Sequence, residues 1–397
     1  MLLGGSRYLL PVIEAAHKLG LYVITCDYLP NNVAHKHSDE YCNISIVDKN
    51  AVLEKATELN IDGIMSFACD PGVETAAYVA EKMGLPSVGP YESVCILQNK
   101  GKFREFLKEN GFNVPFAKKY TSIQLALKDI NIYKWPVIVK PTDSAGSKGV
   151  TKVDVASNLS ESIKHALAYS RCGEFIIEEF LEQKGQPSDA DGLVVDGTIE
   201  IISYSSQYFD KEAKNPYVPS AFGWPTTISI EKQKELQNEV QRLLRLLNME
   251  TSIYNIEVRE CLDDKAYIME CSPRGGGNRL SEMLRYSTGI DIIDTAIRAA
   301  VNEEVNILHE QTKTSNGYWA EIILHGRKAG KFSGVWIEPS IERYVVEKDI
   351  WIKVGAEVNE FSGANETLGT LIFRFKTEQM MREVLEAQEQ YVEVVIE

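Results

Sequence analysis

The stretch Ile253-Tyr254-Asn255-Ile256-Glu257-Val258-Arg259-Glu260-Cys261-Leu262-Asp263-Asp264-Lys265-Ala266-Tyr267-Ile268-Met269-Glu270-Cys271-Ser272-Pro273-Arg274 decides the fold. Two apolar-rich runs, 253–260 and 266–271, flank the turn-forming Leu262-Asp263-Asp264-Lys265, a pattern that predicts a hairpin. The midpoint between Glu257 and Glu270 falls between Asp263 and Asp264. A turn on those two residues therefore sets the carboxylates directly opposite each other. Like charges so placed destabilise a strand pair and ask for a cation between them. Magnesium, a hard ion that binds through one or two carboxylates plus substrate phosphates, fits. A shifted register, or two carboxylates facing solvent, would leave no such site.

Beyond the second carboxylate, positions two apart in an extended segment share a face. Glu270, Ser272 and Arg274 can then address one ligand, the arginine clamping phosphoryl oxygens. Gly275-Gly276-Gly277 lets the backbone turn sharply or approach a ligand closely; a flexible loop with one surface arginine is the plainer alternative. Upstream, the apolar strand Trp135 to Lys140 ends on a lysine and is followed by Pro141-Thr142-Asp143-Ser144-Ala145-Gly146-Ser147-Lys148-Gly149. Such a loop can wrap phosphates with backbone N–H groups or act as a solvated linker. It is not a Walker A loop, because Lys148 lacks the required upstream glycine and precedes Gly149. Gly4-Gly5 likewise lacks the three glycines of a dinucleotide fingerprint.

Outward from these segments, residues 1–95 alternate helix and strand signals: helix 11–19, strand 21–24, helix 50–59, strand 61–67, helix 71–83 and strand 85–88. That order predicts a parallel sheet with helices on both faces. Helices are expected at 99–110, 158–170 and 231–248, and a strand at 175–179. The tail, 317–397, reads as several strands and a final helix near 377–389. A length of 397 residues implies two or three domains. The apolar share of 44% and charged share of 25% are those of a globular protein. A net charge of −15 argues against a nucleic-acid or anionic-membrane surface. No apolar run approaches the roughly 18 residues a spanning helix needs, and no signal peptide is evident. Seven cysteines, none as C-x-x-C, suggest neither a disulfide framework nor a structural zinc; a reduced, cytoplasmic protein is expected. His35 and His37 lack a third ligand and read as surface-loop residues.

Taken in order, these pieces resemble the ATP-grasp superfamily, in its carbamoyl-phosphate-synthetase-like and L-amino-acid-ligase-like branch, related to glycinamide ribonucleotide synthetase and biotin carboxylase. The resemblance implies an α/β and α+β chain: a Rossmann-like N-terminal domain at 1–95, a two-subdomain ATP-grasp core at 96–310 with a small phosphate-loop subdomain at about 116–182, and a small C-terminal α+β unit at 311–397. Asn99-Lys100 followed by Arg104, Leu107, Gly111 and Pro115 resembles the family's "D-K…R…L…G…P" helix, whose lysine contacts ATP phosphate. Lys140 matches the strand-end lysine that reaches the α- and β-phosphates. Ser144, Gly146, Ser147, Lys148 and Gly149 match the mobile phosphate-covering loop. Glu178-Glu179-Phe180-Leu181 matches the hinge that reads adenine, with Phe180 mainly structural. Glu257, Glu270 and Arg274 match the metal and phosphate residues of "E…E-x-N-x-R".

Three departures stand out. Asn99 replaces Asp, and Pro187 occupies the usual ribose-binding Glu position, leaving Gln186, Ser188 or Asp189 as substitutes. Ser272 stands where Asn coordinates the second metal. The implied reaction uses ATP and Mg²⁺ (two ions, with Mn²⁺ an acceptable substitute) to activate a small carboxylate as an acyl phosphate, which an amine then attacks. Arg274 and Lys140 are the catalytic candidates. Arg274, Gly276, Asn278 and Arg279 are candidates for substrate contact, together with the aromatic segment Tyr204 to Trp224. Bicarbonate activation, with biotin on another protein, and a non-catalytic nucleotide-binding regulator are the alternatives. Homodimers are common among the proteins it resembles.

Overall fold

The computed structural model describes residues 1–305 and 316–397. The division expected at 310/311 lies outside the described residues.

At the N-terminus four short strands form a parallel sheet in the order Glu40–Cys42, Ile24–Cys26, Leu2–Leu3, Met65–Ser66. The first strand is central and later strands flank it on both sides, so the loops after Leu3 and Ser66 diverge at a topological switch point. Helix Leu10–Lys18 packs through Val12, Ile13 and Ala16. Helix Val73–Met83 buries Val73, Ala76, Ala77, Val79 and Ala80, and stops at Gly84, whose φ of 67° is open to glycine. The strand expected at 85–88 does not form. Pro86 has no N–H to offer a ladder, and the Val88 carbonyl instead accepts from Glu250 N at 2.9 Å and Tyr254 Oη at 3.0 Å. Those bonds tie the N-terminal unit to the central sheet.

An antiparallel sheet follows in the order Ala117–Tyr120, Phe175–Glu179, Val137–Pro141, Thr151–Val153. Helix Leu159–Tyr169 covers it, packing Leu159, Ile163 and Ala166 against Val137, Val139, Phe175 and Ile177. A second antiparallel sheet has the order Thr198–Tyr204, Ser188–Val195, Ser252–Glu260, Ala266–Ser272. Helix Ile230–Leu246 buries Leu236, Val240, Leu243 and Leu244, each contributing about 1.5–3 kcal/mol through burial. Lys140 and Glu178 come from the first of these sheets, Glu257 and Glu270 from the second.

The C-terminal layer is a five-stranded sheet in the order Ser206–Phe209, Pro219–Trp224, Tyr318–Leu324, Gly369–Phe375, Val345–Ile350. Two of its strands thus precede helix Ile230–Leu246. The aromatic segment Tyr204 to Trp224 is mostly core, with Tyr204, Tyr208 and Trp224 buried. A further sheet joins Glu357–Val358, Gly330–Ile337 and Val392–Ile396. The helix expected to end the chain is Glu378–Glu386 with a short turn Gln388–Tyr391, and strand Val392–Ile396 follows it. Val392, Val394 and Ile396 alternate toward the core, a short period-2 signal masked by the preceding glutamates.

Candidate functional site

The hairpin Ser252–Glu260 and Ala266–Ser272 pairs Glu260 with Ala266, Arg259 with Tyr267 and Val258 with Ile268. Continued unchanged, that register would set Glu257 against Met269 and turn Glu270 to the other face. A bulge intervenes, and Glu257 faces Glu270. The adjacent strand brings Asp189 beside Glu257 and Asp191 beside Asn255, while Ser272 pairs with Asn255 from the other side. One face of the sheet therefore carries the row Asp189–Glu257–Glu270 and, next to it, Asp191–Asn255–Ser272.

In the structure each of the facing carboxylates has its own cation. Lys100 Nζ lies 2.9 Å from Glu270 Oε1, and Arg259 Nη2 is 3.1 Å from Glu257 Oε1. Burial alone would depress Lys100, but Glu270 outweighs it and the lysine is held above its ordinary value. Burial likewise works against ionised Glu270, yet Lys100 and Lys140 hold its carboxyl below the usual carboxylate range. Glu270 keeps 42% of its side-chain surface open although protein surrounds it, as expected on the floor of a cleft. Helix Lys100–Glu109 is capped by Asn99 Oδ1, which accepts from Lys102 N at 3.0 Å. An amide oxygen does this as well as a carboxylate, so Asn99 leaves Lys100 correctly placed. Lys100 N also donates to the Thr142 carbonyl at 3.0 Å, and Nζ donates to the Ser144 carbonyl at 3.0 Å.

Below this pair lies a buried cluster. Lys140 Nζ is 2.5 Å from Glu178 Oε1, and Arg104 Nε is 3.1 Å from Glu178 Oε2. Arg104 Nη1 donates to the Met269 carbonyl, the bulge residue, at 2.8 Å, while Nη2 is buried without a partner. Burial pushes Glu178 up but Lys140 and Arg104 win, bringing it to about 2. Lys140 is itself held below its ordinary value, because burial and the neighbouring Arg104 and Lys100 exceed the pull of Glu178 and Glu270. Lys100, Lys140 and Arg104 together face Glu178 and Glu270, one positive charge in excess, with an orphaned guanidinium N–H. This arrangement suits a polyanion. The facing glutamates supply hard oxygen donors for Mg²⁺, which needs few protein ligands when phosphates complete its shell; the residues fit both groups.

Arg274 is gripped by the N-terminal unit. Its Nε and Nη2 each lie 2.8 Å from the two oxygens of Asp70, just past the switch point. Gly275 is required here, since an added Cβ would sit 2.1 Å from Phe67 Cε2. Ser272 Oγ accepts from Gln98 Nε2 at 2.8 Å and donates to Asp70 Oδ1 at 3.0 Å, so its hydroxyl is already engaged. Gly276 N donates to Asp191 at 2.9 Å, and Asn255 Nδ2 reaches Asp189 at 2.7 Å. Arg279 is held by Glu282 at 2.8 Å and Glu347 at 2.5 Å, and Asn278 accepts from Tyr8 Oη at 3.2 Å.

In the loop after Lys140, whose Ser144 carbonyl meets Lys100 Nζ, Gly146, Ser147 and Gly149 have positive φ (66°, 57° and 75°). Ser144 Oγ donates to the Lys148 carbonyl, Ser147 Oγ donates to the Tyr217 carbonyl, and Lys148 is exposed. At the 178–181 segment Glu179 N donates to the Phe116 carbonyl at 2.8 Å, and the Lys152 ammonium lies 4.6 Å from the Phe180 ring centre. Of the ribose candidates, Ser188 is buried, Gln186 N bonds to Thr227 Oγ1, and Asp189 points into the carboxylate row.

Residues 97–278 match a family model described as ATP-grasp domain. This segment is an ATP-grasp domain. Enzymes of this family use ATP and Mg²⁺, and the ATP-grasp neighbours of the chain extend the likeness beyond the domain itself. The L-amino acid ligase from Bacillus licheniformis superposes with a TM-score of 0.80 at 19% identity, covering 100% of this chain and 98% of that one. Phosphoribosylglycinamide synthetase from Anaerococcus prevotii gives 0.77 at 20% identity, again over 100% and 98%. In sequence, the carbamoyl phosphate synthase large chain of Pseudothermotoga lettingae is 26% identical over 324 residues, 80% of this chain but 28% of that one. The chain thus spans less than a third of that relative. Among the described residues no helix is long and apolar enough to cross a membrane.

Sequence reasoning missed Asp70, Gln98, Arg259 and Asp191. Arg259 was legible, two positions from Glu257 on the same strand face; Asp70 and Gln98 reach the site only through tertiary packing.

Proposed function

We propose that the protein is an ADP-forming ligase that activates a small carboxylate for attack by an amine. The observation that carries this reading is the Glu257–Glu270 pair with Lys100 and Lys140 gathered around it, and Arg274 held by Asp70 four residues beyond Glu270. Mg²⁺, when bound, would supply neutralisation of the charge developing on the transferred phosphoryl group. Glu257 and Glu270 would hold it, which frees Arg259 and Lys100 from their present partners to meet phosphate oxygens. Lys140 stands on the strand end with its ammonium toward the same space. Arg274, fixed in orientation by Asp70, clamps the carboxylate or the γ-phosphoryl oxygens in line. The substrate carboxylate oxygen attacks the γ-phosphorus, ADP leaves, and the amine then displaces phosphate from the acyl phosphate. The 144–149 loop closes over the nucleotide and keeps water from that intermediate. The three-unit division at 1–95, 96–310 and 311–397 belongs to this reading, with the middle unit also lending strands 206–209 and 219–224 to the last sheet.

The test is ADP release with Mg-ATP against pools of carboxylates and amines, bicarbonate in separate wells. Release that requires one carboxylate and one amine together supports the reading; release that requires bicarbonate replaces it with carboxylation.

A further inference from the structure

On the far side of Arg274, where the N-terminal unit, the loop 275–279 and the C-terminal sheet meet, Glu321 is fully buried. Neither of its carboxylate oxygens has a hydrogen-bond partner. It stands in strand Tyr318–Leu324, in one row with Phe222, Ile372 and Glu347. That row faces helix Leu280–Thr288, through Leu280, Met283 and Tyr286. Arg279, just before the helix, is the cation whose charge acts on Glu321, but it is committed elsewhere. It binds Glu282 at 2.8 Å, Glu347 at 2.5 Å and Thr370 Oγ1 at 3.1 Å.

Tyr8 reaches in from the N-terminal unit, and its phenol is pushed well up by burial and by the charge of Glu321. The buried Thr367 hydroxyl lies beside Tyr8 and acts on its phenol through a side-chain hydrogen bond. One guanidinium, Arg279, therefore faces three carboxylates, Glu282, Glu347 and Glu321. Burial and the neighbouring Glu282 and Glu347 exceed the pull of Arg279 and hold Glu321 well above the usual carboxylate range. A buried carboxylate without a hydrogen-bond partner, sharing its one neighbouring guanidinium with two other carboxylates, is strongly disfavoured. The place is not sealed, since Tyr8 is only partly buried and Glu347 keeps 31% of its side-chain surface open.

We propose that Glu321, with Tyr8, Asn278 and Thr367, binds a cationic nitrogen of one of the ligase's two reactants, a primary ammonium or a cation of similar size. This rests on the ligase reading above. The carboxylate row supplies the missing counter-charge, and the Thr367 and Tyr8 hydroxyls supply neutral acceptors for the remaining N–H groups. The attacking amine needs a free lone pair, so the nitrogen held here is not the one that reacts. It belongs to a second nitrogen of the acceptor or to an ammonium on the carboxylate donor. Arg274 and Asn278 are four residues apart, so at most about 14 Å of chain separates the two sites, the length of one small metabolite.

Two measurements test this. Crystals of the wild-type chain and of Glu321→Gln are soaked in rubidium chloride, rubidium being close in size to ammonium. An anomalous peak within hydrogen-bond distance of Glu321, absent in the variant, is expected. In the ADP-release assay, Glu321→Gln should raise the KM of one reactant at least tenfold and leave that of ATP within twofold. Water alone at Glu321 in the rubidium crystals overturns the proposal, as does a variant whose reactant KM values are unchanged. If no pool elicits ADP from the wild type, the ligase reading fails by itself, and the rubidium soak still decides whether Glu321 is a cation site.

Discussion

Replacing Glu178 by glutamine keeps the side chain's size and removes the carboxylate that bridges Lys140 and Arg104. The carboxyl lies at about 2 against an ordinary 4.5, and that difference corresponds to roughly 3 kcal/mol of native-state stabilisation. Removal of one partner from a buried ion cluster has a similar cost, about 3–5 kcal/mol. For a cooperative unit of this size each kcal/mol moves Tm by about 2–4 °C, so Glu178→Gln should melt roughly 6–12 °C below the wild type at neutral pH. The sign of the pH dependence follows from the depressed carboxyl. Its contribution is complete above about 4.5 and is lost as pH falls toward 2. The two melting curves should therefore converge on acidification, because protonated Glu178 becomes equivalent to glutamine. Differential scanning calorimetry across that range reads both effects. A variant that melts within 2 °C of the wild type at neutral pH, or a gap that does not narrow in acid, would refute the reasoning.

Glu270→Gln should weaken Mn²⁺ binding, read by electron paramagnetic resonance in the presence of a non-hydrolysable ATP analogue, by at least tenfold while the fold is kept. Gly275→Ala places a methyl group 2.1 Å from Phe67 Cε2, so ADP release should fall more than a hundredfold; adding Phe67→Leu should restore part of it. Gly146→Val puts a β-branched residue at a φ of 66°, a strain of about 1–2 kcal/mol confined to an exposed loop. Melting should then fall by no more than about 2–8 °C, while turnover drops about tenfold and more ADP is released per product formed, as water reaches the acyl phosphate.

The hairpin that organises the site was legible because alternation, turn residues and charge all point the same way: the expected strands 253–260 and 266–271 are observed as Ser252–Glu260 and Ala266–Ser272. Even so, the opposition of Glu257 and Glu270 depends on the bulge near Met269, which no periodicity reveals. Strands Ser188–Val195 to Pro219–Trp224 escaped because buried Ser188, Asp191, Ser205 and Ser206 break the apolar pattern. Asp191, Ser205 and Ser206 are satisfied by bonds to residues distant in sequence, such as Asp191 to Gly276 N and Ser206 to Thr227. Segment 85–88 reads as a strand by composition, yet its carbonyl is claimed by Glu250 and Tyr254 far along the chain. Lys100 and Lys140 were recognisable from local context; Asp70, which orients Arg274, lies about 200 residues away in sequence and carries no local signal.

The central claim is tested most directly by ADP formation from Mg-ATP in the presence of paired carboxylates and amines, with Glu270→Gln alongside. The account predicts ADP only when one carboxylate and one amine are both present, with phosphate released in equal amount and no turnover by the variant. Mg-ATP bound tightly but never cleaved with any pair, bicarbonate included, would contradict it and make the protein a nucleotide-binding regulator.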